Sequence, residues 1–250
     1  MIIAQNLEYS YDTHRRDFKL ECASFRAFPS EITCIIGSNG SGKTTLLKLL
    51  SGAVKPQSGS IMIAGETLID LPKSKVLRVV GRIDAAASKS LVDELLVADH
   101  LALALATSGE PVPFFPRLLN SNNLPAQSRL GNELTSEIKK LLYKRVAELS
   151  SGQKQTITIA LAIMNERKVI LADEGAVHLD VKNARRFFNN MRRIALQNAL
   201  ACVVVTHDLS LVAEFADRIY TLQKGRVGEM KRNPNDDIKS IISRLEKLFS

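Results

Sequence analysis

The chain has 250 residues, of which 45% are hydrophobic, 24% charged and 5% aromatic, with no tryptophan and a formal net charge of +8. That length carries one large domain or two small ones, and the composition excludes collagen, disorder and low-complexity sequence. No apolar run approaches the ~18 residues of a membrane-spanning helix, and three cysteines, Cys22, Cys34 and Cys202, supply neither a disulfide framework nor a metal-ligand spacing.

In chain order, Met1 to Asn6 lack the basic stretch and apolar run of a signal peptide, so a cytoplasmic location is expected. Ile2–Leu7, Phe18–Phe28 and Ile32–Ile36 read as short strands. A glycine-rich turn follows, then a helix over Thr44–Ser51 that Gly52 is placed to end. Val54–Gly59 reads as a loop, Ser60–Ala64 and Val76–Ile83 as strands, and Leu91–Thr107 as helix. Residues 108–133, with Pro111, Pro113, Pro116 and Pro125, read as an irregular surface excursion. Helical periodicity returns over Glu137–Val146. After Gln153 strands and helices alternate: helix to Asn165, strand Val169–Ala172, helix Val181–Gln197, strand Ala201–Thr206, helix Leu209–Ala216, strand Arg218–Leu222. Apolar strands separated by helices predict an α/β fold with a mostly parallel sheet covered on both faces. Past Pro234 a short helix is expected, with Ile238, Ile241, Ile242, Leu245, Leu248 and Phe249 on one stripe that docks onto the same domain.

Basic residues are spread along the chain in small clusters such as Arg185-Arg186 and Arg192-Arg193. No run of aromatics offers a stacking platform, so no nucleic-acid partner is expected.

Gly37-Ser38-Asn39-Gly40-Ser41-Gly42-Lys43-Thr44 fits the phosphate-loop pattern G-x-x-x-x-G-K-[ST], with an apolar strand before it and a helix after it. The glycines let successive backbone N–H groups turn toward phosphate oxygens, and the helix N-terminus adds partial positive charge. Lys43 would reach the β- and γ-phosphates of ATP, and Thr44 would offer a hydroxyl to Mg²⁺, with Thr45 beside it in the binding set. Val169–Ala172 runs into Asp173-Glu174, two carboxylates expected at the carboxyl edge of the sheet, where ligands bind. Asp173 would hold Mg²⁺, and Glu174 would orient and deprotonate the attacking water.

About 20 residues before that acidic pair, Leu149-Ser150-Ser151-Gly152-Gln153 resembles the Leu-Ser-Gly-Gly-Gln signature of ABC ATPases, with Ser151 for the first glycine. The resemblance runs from about Asn6 to Arg226. It implies that His207 is the switch histidine at the γ-phosphate, that Leu179-Asp180 ends the D-loop, and that Tyr11 stacks on adenine, with Tyr9 the alternative. It also implies a P-loop NTPase core with an N-terminal antiparallel β subdomain and an inserted α-helical subdomain. Residues 1–230 would be the ATPase domain (core 1–85 and 156–230, helical subdomain about 86–155). Residues 231–250 would form an amphipathic helix on or near the core.

Three departures stand out. Asp84-Ala85 occupies the slot where family members carry a glutamine. Gly175 replaces the usual proline after Asp-Glu, and His178 stands where the D-loop commonly has a small residue. The Ile-Gly-Ser-Asn-Gly opening and the missing proline are shared with ATPase subunits of some bacterial amino-acid-type importers.

The function this resemblance implies is the ATP-hydrolysing motor subunit of an ABC transporter, an importer. Two copies would sandwich ATP, each phosphate loop facing the other copy's Ser150–Gln153. The partners would be a second such subunit, as a homodimer, and transmembrane permease subunits in separate chains. The chain would then sit peripherally on the inner face of the cell membrane. The alternatives are a soluble ABC-type ATPase and a low-turnover regulatory module, the latter because the glutamine is missing. Chromosome-type members place long coiled coils between phosphate loop and signature; here about 105 residues intervene without sustained heptads.

Overall fold

The computed structural model describes residues 1–11, 19–83, 91–106, 127–164, 166–173, 181–232 and 236–249. In chain order the elements are β1 (Ile2–Tyr9), β2 (Leu20–Ala27), β3 (Ile32–Gly37), α1 (Lys43–Leu50), β4 (Ser58–Ile63), β5 (Glu66–Thr67), α2 (Lys73–Val79) and β6 (Val80–Ile83). Then come α3 (Val97–Ala106), α4 (Gln127–Leu141), α5 (Ser151–Ile163), β7 (Val169–Asp173), α6 (Val181–Asn198), β8 (Ala201–Val205), α7 (Leu209–Phe215), β9 (Arg218–Gln223), β10 (Arg226–Met230) and α8 (Ile238–Phe249).

The strands form one ten-stranded sheet in the order β5-β4-β1-β2-β10-β9-β3-β8-β7-β6. From β9 to β6 the neighbours are all parallel, with Cys34 opposite Val204 and Leu171 opposite Val203. β3, β7 and β8 are nearly continuous runs of Ile, Val, Leu, Cys and Ala because helices cover both faces. The N-terminal strands instead pair antiparallel, Ile2 opposite both Ala27 on β2 and Ile63 on β4. β10 turns back on β9 and joins the halves, with Arg226 opposite Glu21 of β2. The fold is thus the P-loop type of α/β sheet with an antiparallel N-terminal extension.

Because successive strand residues point to opposite faces, β3 feeds two cores. Cys34 and Ile36 belong to a cluster with α5, α6, α7 and α8, whereas Ile35 packs with Leu46 and Leu49 of α1. On α8, Ile241 and Leu245 are fully buried in the first cluster while Ile238 and Leu248 stay exposed, so part of the expected stripe docks. α5 lies directly on β6: a Cβ on Gly81 would stand 2.2 Å from the Ala162 carbonyl oxygen. Arg167 ties the same junction, donating to the carbonyls of Met164 at 2.9 Å, Val80 at 2.7 Å and Leu77. Burial there lowers its pKa to about 10.

Several expected elements are corrected. Val76–Ile83 is the end of α2 followed by β6, because a helix of seven residues rich in Val and Leu carries no clear period. The helix expected from Leu91 starts at Val97, and the one expected over Glu137–Val146 spans Gln127–Leu141, with a break at Gly131 (φ 71°). α4 therefore takes up the end of the 108–133 segment, of which residues 108–126 lie outside the described residues, as do Asp84 and Ala85. β10 was not expected at all. No described helix is long and apolar enough to cross a membrane.

Candidate functional site

The glycine-rich loop joins the buried strand β3 to α1. A Cβ on Gly37 would lie 2.3 Å from the Leu222 carbonyl oxygen of β9, so glycine is the only residue that lets these strands meet. Gly40 takes φ +76°, turning the chain back toward the helix. Ser41 is buried; its N–H donates to Ser38 O at 3.2 Å and its carbonyl accepts from Gly225 N at 3.1 Å, fastening the loop to the β9–β10 turn. Its hydroxyl oxygen is buried without a protein partner. Ser38 and Asn39 lie exposed at the lip.

The Lys43 ammonium sits inside this curl, donating to Gly37 O and Ser38 O at 2.8 Å each. Burial lowers its pKa, with the Asp173 carboxylate opposing the shift. Thr44, at the start of α1, donates through Oγ1 to Asp173 Oδ2 at 3.2 Å. The sheet makes this contact, since β3 and β7 both flank β8 and end at the same edge. A hydroxyl and a carboxylate are the hard oxygens that Mg²⁺ takes beside water and phosphate. Cation, curled backbone, buried orphan hydroxyl and oxygen pair together fit a nucleotide phosphate with a divalent ion. Among the described residues no cluster of three or more His, Cys, Asp or Glu offers a separate metal site.

His207 follows β8 on the same edge. Burial, and secondarily the Lys43 charge, lower its pKa, while Asp173 acts the other way. Its imidazole is therefore neutral at pH 7 and holds one nitrogen ready to accept a hydrogen bond. The turn is set by Thr206 Oγ1, which accepts from Asp208 N, and by Asp208 Oδ1, which caps α7 through the N–H groups of Ser210 and Leu211.

Tyr11 is exposed beyond the end of β1. Its hydroxyl accepts from Thr45 Oγ1 at 3.3 Å and Lys48 Nζ at 3.4 Å, and Tyr9 meets it edge-on with ring centroids 5.1 Å apart. The Thr45 hydrogen bond lowers the Tyr11 pKa. Lys48 joins this site although no motif marks it; its place one turn after Thr44 on the loop helix is the signal the sequence offers.

Ser150–Gln153 opens α5. The Ser150 hydroxyl accepts from Gln153 N at 3.3 Å and the Gln153 side-chain oxygen accepts from Ser150 N at 3.0 Å, a reciprocal capping box. Ser151 is exposed, and Gly152 is buried with Asn183 of α6 close to where a Cβ would project. One turn on, Thr156 Oγ1 donates to Glu137 Oε1 at 3.3 Å, and Arg186 of α6 holds both Glu137 oxygens. Phosphate loop, Thr44–Asp173 pair, His207 and Tyr11–Thr45 pair are thus gathered at one edge, and the Ser150–Gln153 turn heads a separate helix. Glu174 and Asp180 lie outside the described residues.

The pattern of the family described as ABC transporter matches residues 20–177. A "Tyrosine transport ATP-binding protein" of Clostridioides difficile is 30% identical over 220 residues, covering 86% of each chain. A "Phosphonates import ATP-binding protein PhnC" of Treponema denticola is 28% identical over 225 residues, covering 89% of this chain and 86% of that one. A solved ATP-binding cassette, described as a dimer in a post-hydrolysis state with ADP and Pi, superposes with a TM-score of 0.73 at 23% identity, over 93% of this chain and 100% of that one.

Proposed function

The chain belongs to the ABC transporter family as an ATP-hydrolysing subunit, and we propose that it powers import through a separate membrane permease, working as a pair of identical subunits. The observation that carries this is the meeting of Thr44 with Asp173 beside the Lys43 curl, the donor set that a nucleotide triphosphate with its metal requires. The import-type relatives and the Ile36–Gly40 opening support the direction. In this reading residues 1–85 and 156–230 are the core, about 86–155 the helical subdomain, and 231–250 the terminal helix.

ATP binds with its phosphates over the loop. Lys43 exchanges its two loop carbonyls for phosphate oxygens, and the N–H groups of Gly40–Thr45 donate at the helix N-terminus. Adenine stacks on Tyr11, whose ring Thr45 and Lys48 hold in place. Thr44 and Asp173 would hold Mg²⁺, which supplies charge neutralisation between the phosphates. Glu174, directly after Asp173, takes the proton from the attacking water, and neutral His207 accepts a hydrogen bond at the γ-phosphate side. In the pair, Ser150–Gln153 of the second copy closes over the γ-phosphate. The capping box orients that turn, and Ser151 lies exposed on it.

The test is purification of the tagged chain from detergent-solubilised membranes and reconstitution of what accompanies it into vesicles. A multi-span protein with ATP-dependent uptake is expected. Full ATPase activity with no membrane partner would overturn the transport reading, and uptake only out of the vesicle's cytoplasm-equivalent side would overturn import.

A further inference from the structure

At the carboxyl ends of β3, β8 and β9 a cavity of about 1070 Å³ opens, bordered by Ser38, His207 and Lys224 just past those strands. It lies on the face of the sheet opposite α1. Ile36 contributes to its wall and belongs to the cluster with α7 and α8, whereas Ile35 turns the other way toward Leu46 of α1. The cavity therefore reaches the phosphate loop from behind. It touches Gly37 and Ser38, while Lys43, Thr44, Asp173 and Tyr11 take no part in its lining. The last turn of α8 forms its rim through Leu248, whose carbonyl accepts from the Gln223 side-chain amide.

The lining is chemically one-sided. Lys224 and Arg226 contribute cations, and among the described lining residues none carries a carboxylate; Arg226 also pairs with Glu21 at 3.4 Å. Ile36, Leu209 and Leu248 provide apolar wall, whereas the Val227 side chain packs on the α1 side of the sheet. A space just above the usual roughly 300–1,000 Å³ for small-molecule sites, lined by apolar and polar groups alike and placed outside the carboxyl ends of parallel strands, is where such folds take ligands.

The geometry points to a second ligand site, distinct from the nucleotide site, that takes a small organic anion with an apolar body. The anion meets Lys224 and Arg226 at the β9–β10 turn and the apolar part lies against Ile36 and Leu248. Because Ser38 and His207 border both spaces, the occupant touches the back of the phosphate loop and the switch histidine directly.

The chain has no tryptophan, so Leu248→Trp places the sole indole at the rim. The probe is 1-anilinonaphthalene-8-sulfonate, an aryl body carrying one sulfonate, titrated in the presence of saturating ADP and Mg²⁺. One equivalent is expected to bind and to quench the indole by energy transfer. Lys224→Asn, which keeps the positive φ of 46° accessible, and Arg226→Gln are each expected to weaken dye binding about tenfold, with ADP affinity and melting temperature unchanged. Displacement of the dye by ADP, absence of transfer from the indole, or an affinity that neither charge substitution moves would each overturn the site.

Discussion

The Thr44 hydroxyl on the first turn of α1 stands 3.2 Å from Oδ2 of Asp173 at the end of β7, although 129 positions separate the two residues. No local propensity brings them together. β3 and β7 share the neighbour β8, so their carboxyl ends open on one edge, and the hydroxyl and the carboxylate meet there.

Lys43→Ala is expected to abolish measurable ATP binding in the presence of Mg²⁺. It removes the cation that Gly37 O and Ser38 O hold inside the loop, and hydrogen bonds to charged groups are each worth about 1.5–3 kcal/mol. Titration calorimetry on wild type and variant checks this; equal affinities would remove the phosphate-loop assignment.

Glu174→Gln is expected to keep ATP binding while lowering turnover by about 10²–10⁴, the usual worth of a general base. The bound nucleotide should then hold two chains together, visible as a dimer on gel filtration with ATP and a monomer with ADP. Turnover at the wild-type rate would show that another group accepts the proton.

The slot at Asp84-Ala85 lacks the family's glutamine, and an alanine methyl neither donates nor accepts. Ala85→Gln is expected to raise basal Mg²⁺-dependent ATPase activity, and Asp84→Ala to leave it unchanged. Collapse of activity in Asp84→Ala would show that this carboxylate has taken over a metal role.

His207 has a pKa held below the ordinary value by burial and the Lys43 charge. The unfolded chain takes that proton near pH ~6.5 and the folded chain only at lower pH. The stability this residue contributes is therefore complete above about 6.5 and is lost as pH falls through the folded value. Turnover should likewise keep its plateau below pH ~6.5. An NMR titration of the four histidines, with His207→Gln to identify the resonance, is expected to give a midpoint on the acid side of the free imidazole; a midpoint above it contradicts the neutral form.

Gly81→Ala is expected to cost about 1–3 kcal/mol by forcing α5 off β6, because its Cβ would stand 2.2 Å from the Ala162 carbonyl oxygen. Thermal unfolding measures it. An unchanged melting temperature would mean that the helix slides freely on the strand.

The parts of the site legible in the sequence are those in which chemistry and local structure coincide. Gly37–Thr44 shows its pattern because strand, turn and helix follow one another within one short stretch, and Val169–Asp173 because a buried strand must be apolar to its last residue. β10 was illegible: Arg226–Met230 carries Arg, Gly and Glu without alternation, and its strand character comes from pairing with β9, which the Lys224-Gly225 turn alone hinted at. α2 was misread because Val76, Leu77 and Val79 suit either state over so short a span. The capping box at Ser150 and Gln153 is written in their spacing of three, the same residues that carry the family signature. The Tyr11–Thr45–Lys48 contact joins the end of β1 to α1, and only the folded sheet places those side chains together.

The close approach of Gly37 to Leu222 has an evolutionary consequence. The glycine is demanded by two neighbouring strands, not by phosphate, so purifying selection for folding alone would preserve it. A descendant that had lost every nucleotide contact would still carry glycine at 37, and its retention in a pseudoenzyme would be no sign of remaining activity. Gly40 is different: a Cβ there would meet nothing within 4 Å, and only its φ of +76° restrains it. Drift to asparagine at 40, a residue that tolerates this φ, leaves the sheet intact, so the two glycines of one loop answer to separate selective pressures.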